Sequence, residues 1–228
     1  MSASLDARGQ RATSGADRLR RALDLAIAAP GAILTAPVVA VLCVLIRLES
    51  PGSPIFTQER AGLGGRPFRI YKLRTMVSGA ERIGAGLAVL PGDARITRTG
   101  EFLRRYSLDE LPNLWNVLRG EMAVVGPRPT LMGQVELYTD YQRRRLLVAP
   151  GITGWAQVNG RASLPWSRRI ELDVWYVEHR SLWLDLKILA LTVRMVLGGH
   201  GLYHEDASGG VDLGGDNISG DEHGAAKG

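Results

Sequence analysis

One cysteine in 228 residues rules out an internal disulfide, and Cys43 lies in an apolar run where it reads as a small buried hydrophobe. Histidine is also scarce, with four in the chain. His200 and His204 have no glutamate nearby at zinc-protease spacing, which argues against soft-metal catalysis. Gly62-Leu63-Gly64-Gly65 lacks the flanking strand and helix of a dinucleotide fingerprint and reads as a turn. The length allows one domain with a sizeable core plus appendages, and no second full domain. Acidic charge is scarce outside the end of the chain. The net charge is +5, yet residues 205–228 carry six acids against Lys227, which leaves +10 on residues 1–204. Such a balance suits nucleic acid, anionic lipid or a phosphorylated substrate, and composition does not choose among them.

Charge is missing altogether from Leu25 to Ile46. About 20 helical residues cover the ~30 Å hydrocarbon core of a bilayer, so this run is long enough to span. Pro37 near its middle and Pro30 before it each remove an amide donor and crowd the carbonyl four residues back, which predicts a bend near Ala36-Pro37. Arg18, Arg20 and Arg21 precede the run, and Arg47, Arg60, Arg66 and Arg69 follow it. Positive clusters favour the cytoplasmic side. If both flanks obey that rule, the segment enters and returns as a re-entrant helix; the competing reading is a straight spanning helix, in which proline is tolerated. The run exceeds the apolar core of a signal peptide.

Beyond it, Pro54-Ile55-Phe56-Thr57-Gln58 and Pro67-Phe68-Arg69-Ile70-Tyr71-Lys72 flank the glycine turn as a β-hairpin. Lys72 and Arg74 are two apart, so strand alternation predicts one shared face, facing either phosphate or solvent. Leu103, Leu111, Leu114, Trp115 and Leu118 recur at helical spacing, predicting one amphipathic helix or two broken near Pro112. Residues 150–160 read as a short strand between turns and 167–197 as helix, the latter with Trp175, Tyr176 and Trp183 suited equally to a membrane interface or to a core.

The adjacent acids Asp109 and Glu110 carry the chemistry. Either Asp109 caps the following helix or Ser107 forms a capping box with Glu110, and in both cases the acids sit at the positive end of a helix dipole. Caps alone do not need the cations around them: Arg104, Arg105, and Arg128 held between Pro127 and Pro129 with its fork ready for phosphate or carboxylate. Neighbouring helical residues point about 100° apart, so the two acids take different roles. One carboxylate would attack phosphorus and the other would hold Mg²⁺ or orient the second substrate.

Arg104 with Ser107-Leu108-Asp109-Glu110-Leu111-Pro112-Asn113-Leu114-Trp115-Asn116-Val117-Leu118-Arg119-Gly120-Glu121-Met122, then Val125-Gly126-Pro127-Arg128-Pro129, resembles the bacterial sugar transferases, the monotopic phosphoglycosyl transferases. Lys72-Leu73-Arg74-Thr75-Met76 and Pro150-Gly151-Ile152-Thr153-Gly154-Trp155-Ala156-Gln157-Val158-Asn159-Gly160-Arg161 extend the likeness over roughly residues 19–204. The resemblance implies transfer of a sugar-1-phosphate from a UDP-sugar to undecaprenyl phosphate with release of UMP, at the bacterial inner membrane with the catalytic domain facing the cytoplasm. It implies Asp109 as the nucleophile, Glu110 as its partner, Mg²⁺ at both acids, and Arg104 and Arg128 as phosphate binders; the shared strand face adds Lys72 and Arg74 as candidate phosphate binders. Membrane lipid and downstream glycosyltransferases are the implied partners, and nucleic acid is not among them. The family breaks its re-entrant helix at a Ser-Pro pair. Here Ala36-Pro37 stands in its place, with Thr35 as a substitute hydroxyl.

The expected fold is α+β: a mostly helical domain with a small hairpin or sheet, amphipathic interfacial helices and a proline-broken re-entrant helix. The expected division is a disordered leader over 1–17, a membrane segment over 18–48, a catalytic domain over 49–204 and a disordered, acidic, glycine-rich tail over 205–228. The competing class is a membrane-tethered binding or scaffold module, which would need the basic side chains and not the acids.

Overall fold

A computed structural model describes residues 15–82, 93–160 and 164–198. The expected tail over 205–228 and most of the leader lie outside them. Residues 15–17, also assigned to the leader, are instead the first turn of a 35-residue helix, α1 (Gly15–Glu49). Pro30 and Pro37 both lie inside α1, which runs through them without a break. The helix can absorb them because each costs one backbone bond while the turns on either side remain paired. Thr35 does act near the prolines: its hydroxyl donates to the Gly31 carbonyl, 2.7 Å away, a back-bond of the kind that bends helices.

The hairpin forms where the glycine turn predicted it. Strands β1 (Ile55–Ala61) and β2 (Pro67–Leu73) pair antiparallel with Gln58 opposite Ile70 and Arg60 opposite Phe68. At Gly64 and Gly65 φ is +65° and +77°, a region closed to most side chains. Helix α2 (Arg98–Arg105), capped by the Thr97 hydroxyl, leads through a single 3₁₀ turn (Leu108–Glu110) into α3 (Asn113–Arg119). The predicted break near Pro112 is therefore real. Strand β3 (Ala123–Val125) pairs parallel with β4 (Gly151–Thr153), and between them run α4 (Met132–Glu136) and α5 (Asp140–Arg143). After β4 the predicted extended stretch turns at once into α6 (Trp155–Val158). The predicted helix over 167–197 is two helices, α7 (Trp166–His179) and α8 (Leu182–Leu197), parted at Arg180-Ser181.

Parallel pairing places β3 and β4 so close that a Cβ on Gly154 would stand 2.1 Å from the Gly126 carbonyl oxygen. Glycine is needed there for approach rather than for φ. This contact locks Gly126-Pro127-Arg128-Pro129 to the start of α6, and Gly151 donates its amide to the Pro127 carbonyl at 2.9 Å.

Helix α1 rests on the domain at both ends. Near its start, Ala28 is fully buried against Ile70, Val117 and Met122. Arg20 pairs with Asp185 at 2.9 Å, Arg21 donates to the Val117 and Leu118 carbonyls that end α3, and Asp24 accepts from the Val124 amide. Near its finish, Leu42 and Ile46 pack with Leu73 and Leu103. Glu49 accepts from the Arg98 and Thr99 amides at 2.8 and 3.0 Å, a carboxylate at the positive end of α2. Between these anchors Ile33 and Leu34 are 73% and 74% exposed, and Val41 and Val44 are more than half exposed. The exposed apolar stripe follows the one helix among the described residues that is long and apolar enough to cross a membrane.

Candidate active site

The two acids do not cap a helix. Ser107 adopts φ 56°, ψ 25°, the one left-handed non-glycine among the described residues, and its side chain makes no capping bond. That conformation costs about 1–2 kcal/mol for a residue with a Cβ. It ends α2 and sends Leu108, Asp109 and Glu110 into the 3₁₀ turn, while Pro112 stands at the N-cap of α3. The reading of Asp109 as a cap, and that of a Ser107–Glu110 capping box, are both corrected: the turn exists to point acids inward. Asp109 and Glu110 are each only 5% exposed.

Burial of charge requires partners. Glu110 has them: Lys72 Nζ at 2.6 Å and Arg128 Nη2 at 3.2 Å on Oε1, and Asn113 Nδ2 at 2.5 Å on Oε2. Burial pushes its carboxyl up, but Lys72, Arg128 and these bonds outweigh burial and hold it below the usual carboxylate range. Asp109 is the opposite case. Burial first, and the adjacent Glu110 charge second, raise it to about 6 against the pull of Lys72, Arg104 and Arg128. Its Oδ1 is buried and has no hydrogen-bond partner. Two adjacent carboxylates thus have opposed environments, the pattern by which a site assigns different roles to like groups.

The predicted cations divide. Lys72 and Arg128 meet at Glu110, and Arg104, whose Nε donates to the Thr75 hydroxyl at 2.9 Å, acts on Asp109. Arg74 is elsewhere. Its guanidinium donates to the Ser50 and Pro51 carbonyls at 2.7 and 2.8 Å and to the Ser50 hydroxyl, closing the end of α1. Strand alternation misplaced it because β2 ends at Leu73, one residue short.

Sequence reading missed three residues. Asn113 could have been noticed three places after Glu110. Arg60 lines the same pocket as Lys72, Glu110, Asn113, Arg128 and Pro129; hairpin register with period two would have placed it on the face of Lys72. Arg145, buried and paired with Asp173, donates at 3.0 Å to the Arg128 carbonyl and at 2.6 Å to the Tyr138 hydroxyl. No local pattern announces that brace.

Among the described residues no group of three or more His, Cys, Asp or Glu is placed to hold a metal ion. A magnesium ion needs less, since it is commonly held by one or two carboxylates with water and substrate phosphate completing its shell. The orphaned Asp109 oxygen fits that demand, with Glu110 beside it.

The described residues thus combine a buried acid pair among cations with one helix long and apolar enough to cross a membrane. A profile of the bacterial sugar transferases matches residues 15–199. The chain belongs to the bacterial sugar transferase family. It is 49% identical over 185 residues to the uncharacterised sugar transferase EpsL of Bacillus subtilis, covering 81% of this chain and 90% of that protein. It is 42% identical over 189 residues to the UDP-N-acetylgalactosamine-undecaprenyl-phosphate N-acetylgalactosaminephosphotransferase of Aeromonas hydrophila, covering 80% of this chain and 44% of that one. A UDP-glucose:undecaprenyl-phosphate glucose-1-phosphate transferase of Escherichia coli is 41% identical over 189 residues, covering 79% and 40%. The chain therefore spans less than half the length of the latter two.

Proposed function

We propose that this chain transfers a sugar-1-phosphate from a UDP-sugar to undecaprenyl phosphate, releases UMP, and so starts assembly of a membrane-linked glycan such as an exopolysaccharide. The observation that carries the reading is Asp109 Oδ1, a buried carboxylate oxygen without a partner beside a neutralised Glu110. Asp109 attacks the sugar-bearing phosphorus. A P–O bond forms to its carboxylate, the bond to UMP breaks, and the electron pair leaves on the UMP phosphate. Attack by the lipid phosphate on the resulting acyl phosphate frees Asp109, so one difficult exchange becomes two displacements. Arg104 and Arg128 neutralise charge around the transferred group, Lys72 holds Glu110, and Asn113 fixes the other Glu110 oxygen. Mg²⁺, held by Asp109 and Glu110, would supply further charge neutralisation on the diphosphate.

The test is a panel of UDP-sugars given to the protein with undecaprenyl phosphate and Mg²⁺, read as UMP release. One donor at least is expected to be consumed only when the lipid phosphate is present in turnover amounts. Burial and the Glu110 charge raise the Asp109 carboxyl to about 6 in the absence of metal, and Mg²⁺ at the pair would lower it. The acid limb of a single turnover is therefore expected to move to lower pH as Mg²⁺ is raised. An acid limb that does not move with Mg²⁺ would contradict Asp109 as both nucleophile and metal ligand.

For the membrane segment we propose a re-entrant course with both ends on the cytoplasmic side of the inner membrane. Both ends of α1 bond to one domain, through Arg20, Arg21 and Asp24 at the start and through Ile46, Glu49 and Ser50 at the finish. A spanning helix would place them on opposite faces of the bilayer, where one domain could not bond both. In a Cys43→Ala background, single cysteines at Arg18 and Ser53 are expected to react equally with an impermeant thiol reagent from the cytoplasmic side. Labelling from opposite sides would establish a spanning helix.

A further inference from the structure

Arg60 has a role that neither the acid pair nor the Pro-Arg-Pro segment accounts for. Its guanidinium is partly buried under the hairpin, and among the described residues no carboxylate pairs with it. Gln58 Oε1 accepts from its Nη2 at 2.5 Å and the Pro129 carbonyl accepts from its Nη1 at 3.5 Å, so both bonds orient the group without neutralising it. Burial, together with the like charge of Arg128 and against the pull of Glu110, lowers it to about 10. The charge is still kept at neutral pH. A buried cation left without an anion is costly unless an anion arrives.

The cations are also unevenly distributed. Lys72 and Arg128 act on both acids and Arg104 on Asp109, whereas Arg60 adds a further positive charge on the Glu110 side. If the attacked phosphorus sits at Asp109, a second phosphate one bridging oxygen away reaches toward that surplus. In the displacement the bridging oxygen takes the electron pair and the departing phosphate goes from one negative charge to two. A guanidinium there gains its full attraction only as the bond breaks.

We propose that Arg60, oriented by Gln58 and the Pro129 carbonyl, is a binding residue for the departing nucleotide phosphate. This rests on the transferase reading for its substrate, and it predicts a property that can be measured without turnover. UMP is titrated into the full-length protein in lipid nanodiscs for the wild type, Arg60→Lys, Arg60→Gln and Gln58→Ala. Arg60→Gln is expected to weaken UMP binding tenfold or more and to raise the UDP-sugar KM. Arg60→Lys, which keeps the charge and loses the fork, falls between it and the wild type. The KM for undecaprenyl phosphate stays unchanged. Unaltered UMP affinity in folded Arg60 variants overturns the proposal, as does a defect confined to the lipid phosphate. If the Arg60 variants do not fold, Gln58→Ala decides, with weaker UMP binding expected and unchanged binding overturning. A wild type that binds UMP through Arg60 yet releases none from any UDP-sugar would refute the transferase reading and leave this assignment standing.

Discussion

Asp109→Asn is expected to eliminate UMP release and at the same time to raise the melting temperature. Loss of a covalent nucleophile costs on the order of 10⁴-fold or more in turnover. The stability effect has the opposite sign because the folded protein holds the Asp109 proton more tightly than the unfolded chain does. The carboxyl rises from 3.8 to about 6 on folding. Stability from this group is greatest below pH 3.8 and is lost as pH rises through about 6, a penalty on the order of 2–3 kcal/mol at neutral pH. Asparagine carries no such penalty. Thermal melts in metal-free buffer are expected to show the variant several degrees above wild type at pH 7.5, and no higher at pH 4. A structural acid would give the reverse, with intact activity or a fall in melting temperature. This pairing also separates the enzyme from a membrane-tethered binding module, which would lose nothing with Asp109.

The second large effect concerns Asp173. Removing it as Asp173→Ala leaves the Arg145 guanidinium, 3% exposed, without its counter-charge. Breaking a buried pair from one side costs about 3–5 kcal/mol. In a domain of this size that is roughly 10 °C or more in melting temperature. The double change Arg145→Met with Asp173→Leu is expected to recover most of the loss, because no buried charge remains. Activity is expected to stay low in the recovered protein, since the bond from Arg145 to the Arg128 carbonyl goes with the arginine. Recovery of both stability and turnover would show that the brace does not position Arg128.

What was readable in the sequence was local. The hairpin followed from a glycine turn between two β-rich runs, the long apolar helix from its absence of charge, and the acid pair from cations crowded within a few residues. The capping assignments failed because Ser107 takes a left-handed conformation that propensity disfavours, and a propensity argument cannot foresee a strained residue maintained by its surroundings. Arg74 failed at a strand end, where alternation stops holding. Arg60 and Arg145 were invisible for a third reason. Their partners in the site, Pro129 and Asp173, lie 69 and 28 residues away, so only the tertiary fold brings them together. Across Pro37, where a bend was expected, α1 stays helical, and its ends are held by Asp185 and Val117 at one side and by Arg74 and Arg98 at the other.

That double attachment frees α1 from a constraint that ordinary membrane helices obey. A spanning segment has its length set by bilayer thickness and tilts or stretches when the two disagree. Here the length between Asp24 and Ile46 is set by the distance between two sites on the protein's own domain, and its phase by the need for Ala28, Leu42 and Ile46 to face inward together. One residue added between them would turn the far end by about 100° and swing Leu42 and Ile46 away from Leu73 and Leu103. In the re-entrant course proposed above, the gauge that fixes this hydrophobic segment is carried by the protein, and the lipid has only to receive it.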